Sequence, residues 1–485
     1  MERTARTTID QLADEGSFAP DNGPLSGNPI GYPGYEEALA RARAASFANE
    51  SVIAGPATIG GHAVELAVFD FAFMAGSMGE AAGERLARGL ERAARREVAF
   101  VLYTATGGVR LQEGIRSLVQ LPKVLAARLE LAAAHRPLVA LLGHPTTGGV
   151  LASIAAAADV TIALAGATIG FAGPRVVQRF TGSPLARGSH TAARALERGL
   201  VDTVILEEEI GPTLRHVLGV LASDSPEGLA PPEPLPETLR ARDAWAAVEA
   251  ARSPGRPSAG ALLQSMADEW FELRGDRAGT DDAAVTVGFI RVSGRRAVGI
   301  ALNREHAPGP GAYRKAERAL DVASRLGLPV VNLIDTRGAD PSEESEAGGI
   351  AWAISSMFTK MLTAPVPILS VVTGEGGSGG ALAFATGDVL LAYPTTIFSV
   401  IAPEAAAEIL WRDTTRSPEA AGLLKISAND LVDLGLVDAL IEGLVAPESL
   451  RAVVAYHLGL SSDSGLSARD RVRLRRRRWR SEPGT

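Results

Sequence analysis

Apolar positions along this chain come in two kinds of block. Short runs such as "VAFVLYTATGG" and "LPVVNLIDTRG" are apolar almost throughout and end in a glycine turn. Strands buried on both faces read this way, so these runs predict a parallel sheet. Between them lie longer amphipathic stretches, "IRSLVQLPKVLAARLELAAAH" and "AWAISSMFTKMLTA", which predict helices. Strand and helix in alternation predict an α/β architecture with right-handed crossovers.

The blocks occur twice. "VAFVLYTATGGVRLQEG", a helix, "PLVALLGHPTTGG", "VLASIAAAA" and "DVTIALAGATIGFAGP" make the first series. "LPVVNLIDTRGADPSEES", a helix, "VPILSVVTGEGGSGG", "ALAFATG" and "DVLLAYPTTIFSVIAP" make the second. From Pro137 to Gly149 is 12 residues, and from Pro367 to Gly380 is 13. An internal duplication accounts for this order. The copies lie within roughly 40–221 and 259–450, separated by residues 222–258, where "ASDSPEGLAPPEPLPETLRARD" holds five prolines and reads as a linker.

The densest glycine turn is "GEGGSGGALA", Gly374 to Ala383. It spells G-x-G-x-x-G at Gly374, Gly376 and Gly379, but the next strand carries Pro394 and Thr395 where a ribose-binding acid belongs. No lysine follows the turn, which excludes a P-loop. What remains is bare backbone between a strand and a helix start, suited to an oxyanion. The alternative is structural: glycine that only lets helix and sheet approach. Four such turns in a repeated frame favour the oxyanion reading.

Composition narrows the chemistry. With 485 residues the chain exceeds one ordinary core. It has no cysteine, which removes disulfides, thiolate zinc and cysteine nucleophiles. The opening residues lack an apolar signal-peptide core, and no apolar run reaches the ~18 residues of a membrane span, so a cytoplasmic protein is expected. The net charge of −8 is ordinary, but Arg469 to Arg480 carries eight arginines and one acid. That end reads as a solvated, disordered tail, with a docking or nucleic-acid patch as the alternative. None of the seven histidines has metal spacing, and His144 beside "PTTGG" reads as a surface or core residue. The sequence thus offers oxyanion glycines without a protein acid or base.

Taken in order, these motifs resemble the carboxyltransferase of biotin-dependent acetyl-CoA carboxylase. The first half is similar to the bacterial β subunit, through "GPATIGGHAVELAVFDFAFMAGSMGEAAGERLAR", "TATGGVRLQEGI", "PTTGGVLAS" and "GATIGFAGPRVV". The second is similar to the α subunit, through "ELRGDRAGTDD", "AYRKAERALDVASRLGLPVVNLIDTRGA", "GEGGSGGALA", "FSVIAPEAAAEILWRD" and "LLKISANDLVDLGLVD". The likeness covers roughly residues 40–450. It implies two crotonase-like domains built as ββα superhelices, at 41–221 and 259–460. An extension at 1–40, a linker at 222–258 and an Arg-rich tail at 461–485 complete the expected organisation.

The resemblance implies transfer of CO2 from carboxybiotin to acetyl-CoA, forming malonyl-CoA for fatty acid synthesis. Carboxybiotin supplies both CO2 and base, leaving the protein to position reactants and stabilise two oxyanions. It implies that Gly107 and Gly108 face the thioester oxygen and that Gly379 and Gly380 face the ureido oxygen of biotin. Gly148, Gly149, Arg110, Gly376 and Gly377 are expected to contact substrate. A site shared between protomers implies a homodimer or larger homo-oligomer. No biotin-attachment A-M-K-M and no ATP-grasp segment is present, so the biotin carboxyl carrier protein and biotin carboxylase are expected as separate chains.

Three departures stand out. The cysteine zinc ribbon usual at the start of β subunits is missing, so neither zinc nor a nucleic-acid role is expected. The usual D-T-P-G-A-Y-P-G reads "DTRGADPS", with Arg337, Asp340 and Ser342 substituted. Val109 stands where alanine is usual, as in malonate decarboxylase relatives. The rival readings are a carboxyltransferase for propionyl-CoA or longer acyl-CoA, a malonyl decarboxylase relative, and a non-catalytic scaffold.

Overall fold

A computed structural model describes residues 4–46, 48–225, 232 and 243–480. The chain divides into two units, one of residues 1–222 with 277–279 and one of residues 223–276 with 280–485. Among the described residues no helix is long and apolar enough to cross a membrane.

The first unit is built on a seven-stranded sheet. Its strands are β1 (Val52–Ile59), β2 (His62–Phe69), β3 (Ala99–Thr106), β4 (Leu138–Thr147), β5 (Val160–Leu164), β6 (Ile169–Gly170) and β7 (Thr203–Ile205). Their order is β1-β2-β3-β4-β5-β7, with β6 paired to β4. Only the β1–β2 hairpin is antiparallel. Leu102, Val139 and Leu141 are wholly buried, as the apolar runs require. Each such side chain contributes about 1.5–3 kcal/mol.

The second unit repeats this plan with β8 (Glu269–Glu272), β9 (Val285–Val292), β10 (Arg295–Leu302), β11 (Val330–Thr336), β12 (Ile368–Gly377), β13 (Val389–Ala392), β14 (Ile397–Ser399) and β15 (Ala439–Leu440). The order is β15-β13-β12-β11-β10-β9-β8, with β14 paired to β12. Strand register proves the duplication. Phe100 lies opposite Leu138 and Thr106 opposite Thr146, while Val330 lies opposite Ile368 and Thr336 opposite Gly376. Every residue here finds its counterpart 230 positions on (100 to 330, 138 to 368). Gly149 therefore corresponds to Gly379, one residue away from the Gly149–Gly380 match that counting from the prolines suggests.

Three segments expected outside the domains belong to them. Asp14, in the extension, accepts the amides of Gly60 and Gly61 at 2.8 Å each and so ties the turn of the β1–β2 hairpin. Within the expected linker, residues 226–231 and 233–242 lie outside the described residues. The rest includes the helix Ala244–Ala251, whose Ala247, Val248 and Ala251 pack with Ile397, Ala421 and Ile426.

The Arg-rich tail is the third such segment. It forms the helix Ala468–Arg480. The Arg475 side chain is 0% exposed and donates to the carbonyls of Met361, Ala364 and Val366 and to Asp388 at 2.7–2.9 Å. Carbonyls ending the helix Ile350–Thr363 lack intrahelical partners, and a guanidinium fork satisfies several at once.

Candidate active site

Each unit presents one cradle, where the turn after one strand meets the turn after the next. In the first unit β3 ends in Thr106-Gly107-Gly108 and β4 runs into the helical turn Gly148–Val150. Gly108 has φ +114° and Gly148 φ +68°, values that L side chains rarely adopt. The approach is also tight. A Cβ on Gly148 would lie 2.8 Å from the Cα of Gly108, and one on Gly149 2.9 Å from Cγ1 of Val109.

Hydrogen bonding changes which amides face a ligand. The Gly107 amide donates to Ala75 O at 2.9 Å, and that of Gly108 to Thr106 Oγ1 at 3.0 Å. The Gly148 amide donates to Phe171 O at 2.8 Å. The donors left over are the first-turn amides of Gly149 and Val150, which have no intrahelical acceptor. Gly107 and Gly108, expected as the oxyanion donors, therefore shape the cradle, and the open donors move to the helix start.

Arg110 is corrected as well. Expected to contact substrate, its guanidinium is 0% exposed and pairs with Glu50 at 2.5 Å and Glu113 at 3.2 Å. It also donates to Ser26 Oγ, Ser51 Oγ and Ser77 O at 2.7–3.0 Å. Burial pushes the Glu50 carboxyl up, but the charge and hydrogen bonds of Arg110 outweigh it and hold the group below its usual range. The Arg110 amide donates to Met78 O, and Met78 N to Gly108 O, so this buried network anchors the turn at Gly108. Beside the cradle lies a cavity of about 380 Å³ with apolar walls of Leu142, Leu151, Ile169 and Phe171, lined also by Arg194, Arg198 and Arg277.

The second cradle has the same frame with different side chains. β11 ends in Thr336-Arg337-Gly338, and β12 runs into the helix Ser378–Ala385. Gly338 has φ +128° and donates to Thr336 Oγ1 at 3.3 Å, as Gly108 does to Thr106. Ser378, the counterpart of Gly148, is held at φ +58°. A Cβ on Gly379 would meet nothing within 4 Å, so the space above this helix start is open. Gly380 is packed instead, because a Cβ there would lie 2.7 Å from Tyr313 Oη. Gly376 and Gly377, expected to contact substrate, lie inside β12, where a Cβ would run into the Phe398 ring and the Arg337 carbonyl. Their glycine is needed for close packing.

Sequence reasoning missed the charges around this cradle. Glu375 accepts both Arg252 Nε and Nη2 at 2.8 and 2.7 Å. Asp335 accepts Arg256 Nη2 at 3.1 Å and the Glu375 amide at 3.0 Å. Burial pushes the Asp335 carboxyl up, with Arg256 opposing. Arg252 and Arg256 fall in the expected linker, whose composition does not single them out. Two arginines so close in a proline-rich segment were the available signal. His144, at the edge of the first cradle, only accepts the Thr168 amide through Nδ1 at 3.2 Å. Among the described residues no cluster of three or more His, Cys, Asp or Glu could hold a metal ion.

Comparison with known proteins fits this geometry. Residues 235–451 match a family model described as acetyl co-enzyme A carboxylase carboxyltransferase-like. The acetyl-coenzyme A carboxylase carboxyl transferase subunits beta/alpha of Salinispora arenicola is 38% identical over 98% of this chain and 90% of its own length. A probable biotin-dependent acyl-coenzyme A carboxylase beta3 subunit of Mycobacterium bovis is 34% identical over 94% of this chain and 93% of its own. Among solved structures, transcarboxylase 12S, seen as a hexamer with methylmalonyl-coenzyme A bound, superposes with a TM-score of 0.78. That match covers 95% of this chain and 90% of the other at 23% identity, a likeness of fold.

Proposed function

Because this chain belongs to the acetyl-CoA carboxylase carboxyltransferase family, we propose that it moves CO2 from biotin on a separate carrier protein to acetyl-CoA, forming malonyl-CoA. The observation that carries the proposal is the pair of cradles, each ending at first-turn amides beside a left-handed residue. Two oxyanions need two such places.

On this reading the first cradle takes the thioester. Amides of Gly149 and Val150 stabilise the oxygen on which charge develops when the α-proton leaves. Gly107, Gly108 and Gly148 keep side chains out so that the thioester can approach. The second cradle receives the ureido end of biotin at Gly379 and Gly380, where the open space at Gly379 fits a ring against bare amides. Biotin, when bound, supplies the CO2 and the base. This chain's residues orient both reactants and stabilise charge, and effective molarity carries much of the rate.

The finer partners are proposals too: a biotin carboxyl carrier protein, a biotin carboxylase subunit, and further copies of this chain in a homo-oligomer, with the cytoplasm as setting. A longer acyl group is the second reading, favoured by the apolar part of the cavity of about 380 Å³ beside the first cradle. One methylene in such a pocket is worth only ~1–3 kcal/mol, so acyl choice needs measurement. The purified chain, mixed with labelled carboxylated carrier and a panel of acyl-CoAs, should pass label to acetyl-CoA. A confirmed donor with no transfer to any acyl-CoA rules out the carboxyltransferase and leaves the scaffold. Faster transfer to a longer acyl-CoA selects the second reading.

A further inference from the structure

Around the second cradle charged residues replace neutral ones at fixed counterparts. Ala105 is matched by Asp335, Gly107 by Arg337 and Pro145 by Glu375. These side chains help to line a cavity of about 210 Å³ together with Arg252 and Arg304. Two of the three acids of this cavity are firmly engaged, and the third, Glu305, lies 3.7 Å from Arg304 Nε. Glu375 is held bidentate by Arg252, which also donates to Glu404 at 2.6 Å. Asp335 is held by Arg256 and by a backbone amide.

Two cationic groups are held more loosely. Arg304 donates through Nη2 to the Arg256 carbonyl at 2.5 Å and meets Glu305 and Asp335 only at 3.7 and 3.8 Å. Nη1 of Arg304 is buried without a hydrogen bond, with Asp335 Oδ2 as far as 3.8 Å away. Arg337 is exposed and makes no side-chain hydrogen bond or ion pair among the described residues. It is also the residue whose carbonyl packs against Gly377 at the cradle. An unmatched guanidinium and an unused N–H on one small cavity suit a carboxylate, which accepts charge-assisted bonds on both oxygens.

We propose that Arg337, assisted by Arg304, binds a carboxylate at the second cradle, that of the group being transferred. The inference rests on the reading that this cradle serves the carboxyl donor. The carboxylate has two possible sources: the carboxylated donor and the carboxylated acyl product. A neutral thioester needs no such charge, and the first cradle has Gly107 there instead.

The test uses the full chain with Arg337→Gln and Arg337→Lys. Direct binding is read first, by calorimetry with sodium malonate as the carboxylate probe. Arg337→Gln should weaken it about tenfold or more, and Arg337→Lys should recover part of the loss. In the forward reaction the KM for carboxylated carrier should rise about tenfold in Arg337→Gln, with kcat and the KM for acetyl-CoA nearly unchanged. In reverse, a rise confined to the KM for malonyl-CoA assigns the carboxylate to the product; an unchanged value assigns it to the donor. Malonate binding and all KM values equal to wild type in Arg337→Gln would overturn the proposal. A wild-type chain that transfers nothing yet binds malonate through Arg337 would sink the function and leave the anion site standing.

Discussion

The two cradles share a backbone and differ in what surrounds it. In the first, the counterpart positions hold Ala105, Gly107, Pro145 and Gly148; in the second they hold Asp335, Arg337, Glu375 and Ser378. One cradle is bare and lies beside a mainly apolar cavity that Arg194, Arg198 and Arg277 also line, and the other lies beside paired charges. Duplication preserved the piece of geometry that makes amide donors, a left-handed residue at a helix start. Divergence then set the polarity of each side. On the proposed function, a neutral thioester and a carboxylated ureido group call for that division of labour.

The first cradle leans on a buried charge, and removing that charge should have the largest effect. Arg110→Met leaves Glu50 and Glu113 buried without their cation. Breaking a buried pair this way costs about 3–5 kcal/mol. Unfolding in denaturant, followed by circular dichroism, should show that loss in the first unit. The pH dependence carries a sign. The Glu50 carboxyl is held below its ordinary value of 4.5, so its contribution is complete above that value. It should fade as pH falls through the lower folded-state value, and only in the wild type. If Arg110→Met were as stable as wild type, the buried network would not be what anchors the turn at Gly108.

Next comes a pair of matched substitutions. Gly379→Val puts methyl groups into open space above the amides of the second cradle. It should fold with an unchanged melting temperature and lose roughly 10²–10³ in carboxyl transfer. Gly149→Val, at the counterpart position, meets Val109 and Leu121 within 3.2 Å. It should lose stability as well as rate. A Gly379→Val enzyme at wild-type rate would mean that these amides face no reacting oxygen.

Much of this plan was legible in the sequence, and the missing parts share one cause. The alternating blocks showed the α/β class, the duplication and the four glycine turns, because those signals are local. Which amides are open was not legible. The acceptor of Gly107 is the carbonyl of Ala75, a backbone atom on a distant segment whose side chain plays no part in the bond. Nor could a stretch of arginines announce its partners, since the carbonyls that Arg475 satisfies lie more than a hundred residues away. Arg252 and Arg256 were hidden by proline-rich surroundings that resemble a linker.

The tail offers a smaller test of the same comparison. In the first unit Asp159 accepts the Leu138 amide at 2.9 Å and pairs with Arg128 at 2.7 Å, and Asp202 pairs with Arg277 at 2.6 Å. In the second unit Asp388 accepts the Ile368 amide at 2.8 Å and pairs with Arg475 at 2.7 Å, and Asp438 pairs with Arg478 at 2.6 Å. The aspartates are duplicated, but the tail now supplies the arginines. Arg475→Ala should cost about 2–3 kcal/mol, since buried acceptors lose their donor. Arg128→Ala should cost a similar amount in the first unit. Thermal unfolding that left Arg475→Ala unchanged would return the tail to a solvated extension.

The smallest effect asks whether the second cradle can be made more like the first. Ser378 sits at φ +58° where its counterpart is Gly148, and a non-glycine residue held there costs about 1–2 kcal/mol. Ser378→Gly should therefore raise stability by about 1 kcal/mol, less the extra chain entropy of glycine. Ser378→Ala keeps the strain and removes only the hydroxyl. If the hydroxyl serves the reaction, both variants lose rate; if only the backbone matters, Ser378→Gly keeps it. The reverse change should not be tolerated, because a Cβ on Gly148 would stand 2.8 Å from the Cα of Gly108. The frame can then drift from glycine to serine on the second side only, since the first side has no room for a side chain. A stable, active Gly148→Ser chain would show that this asymmetry is not imposed by packing.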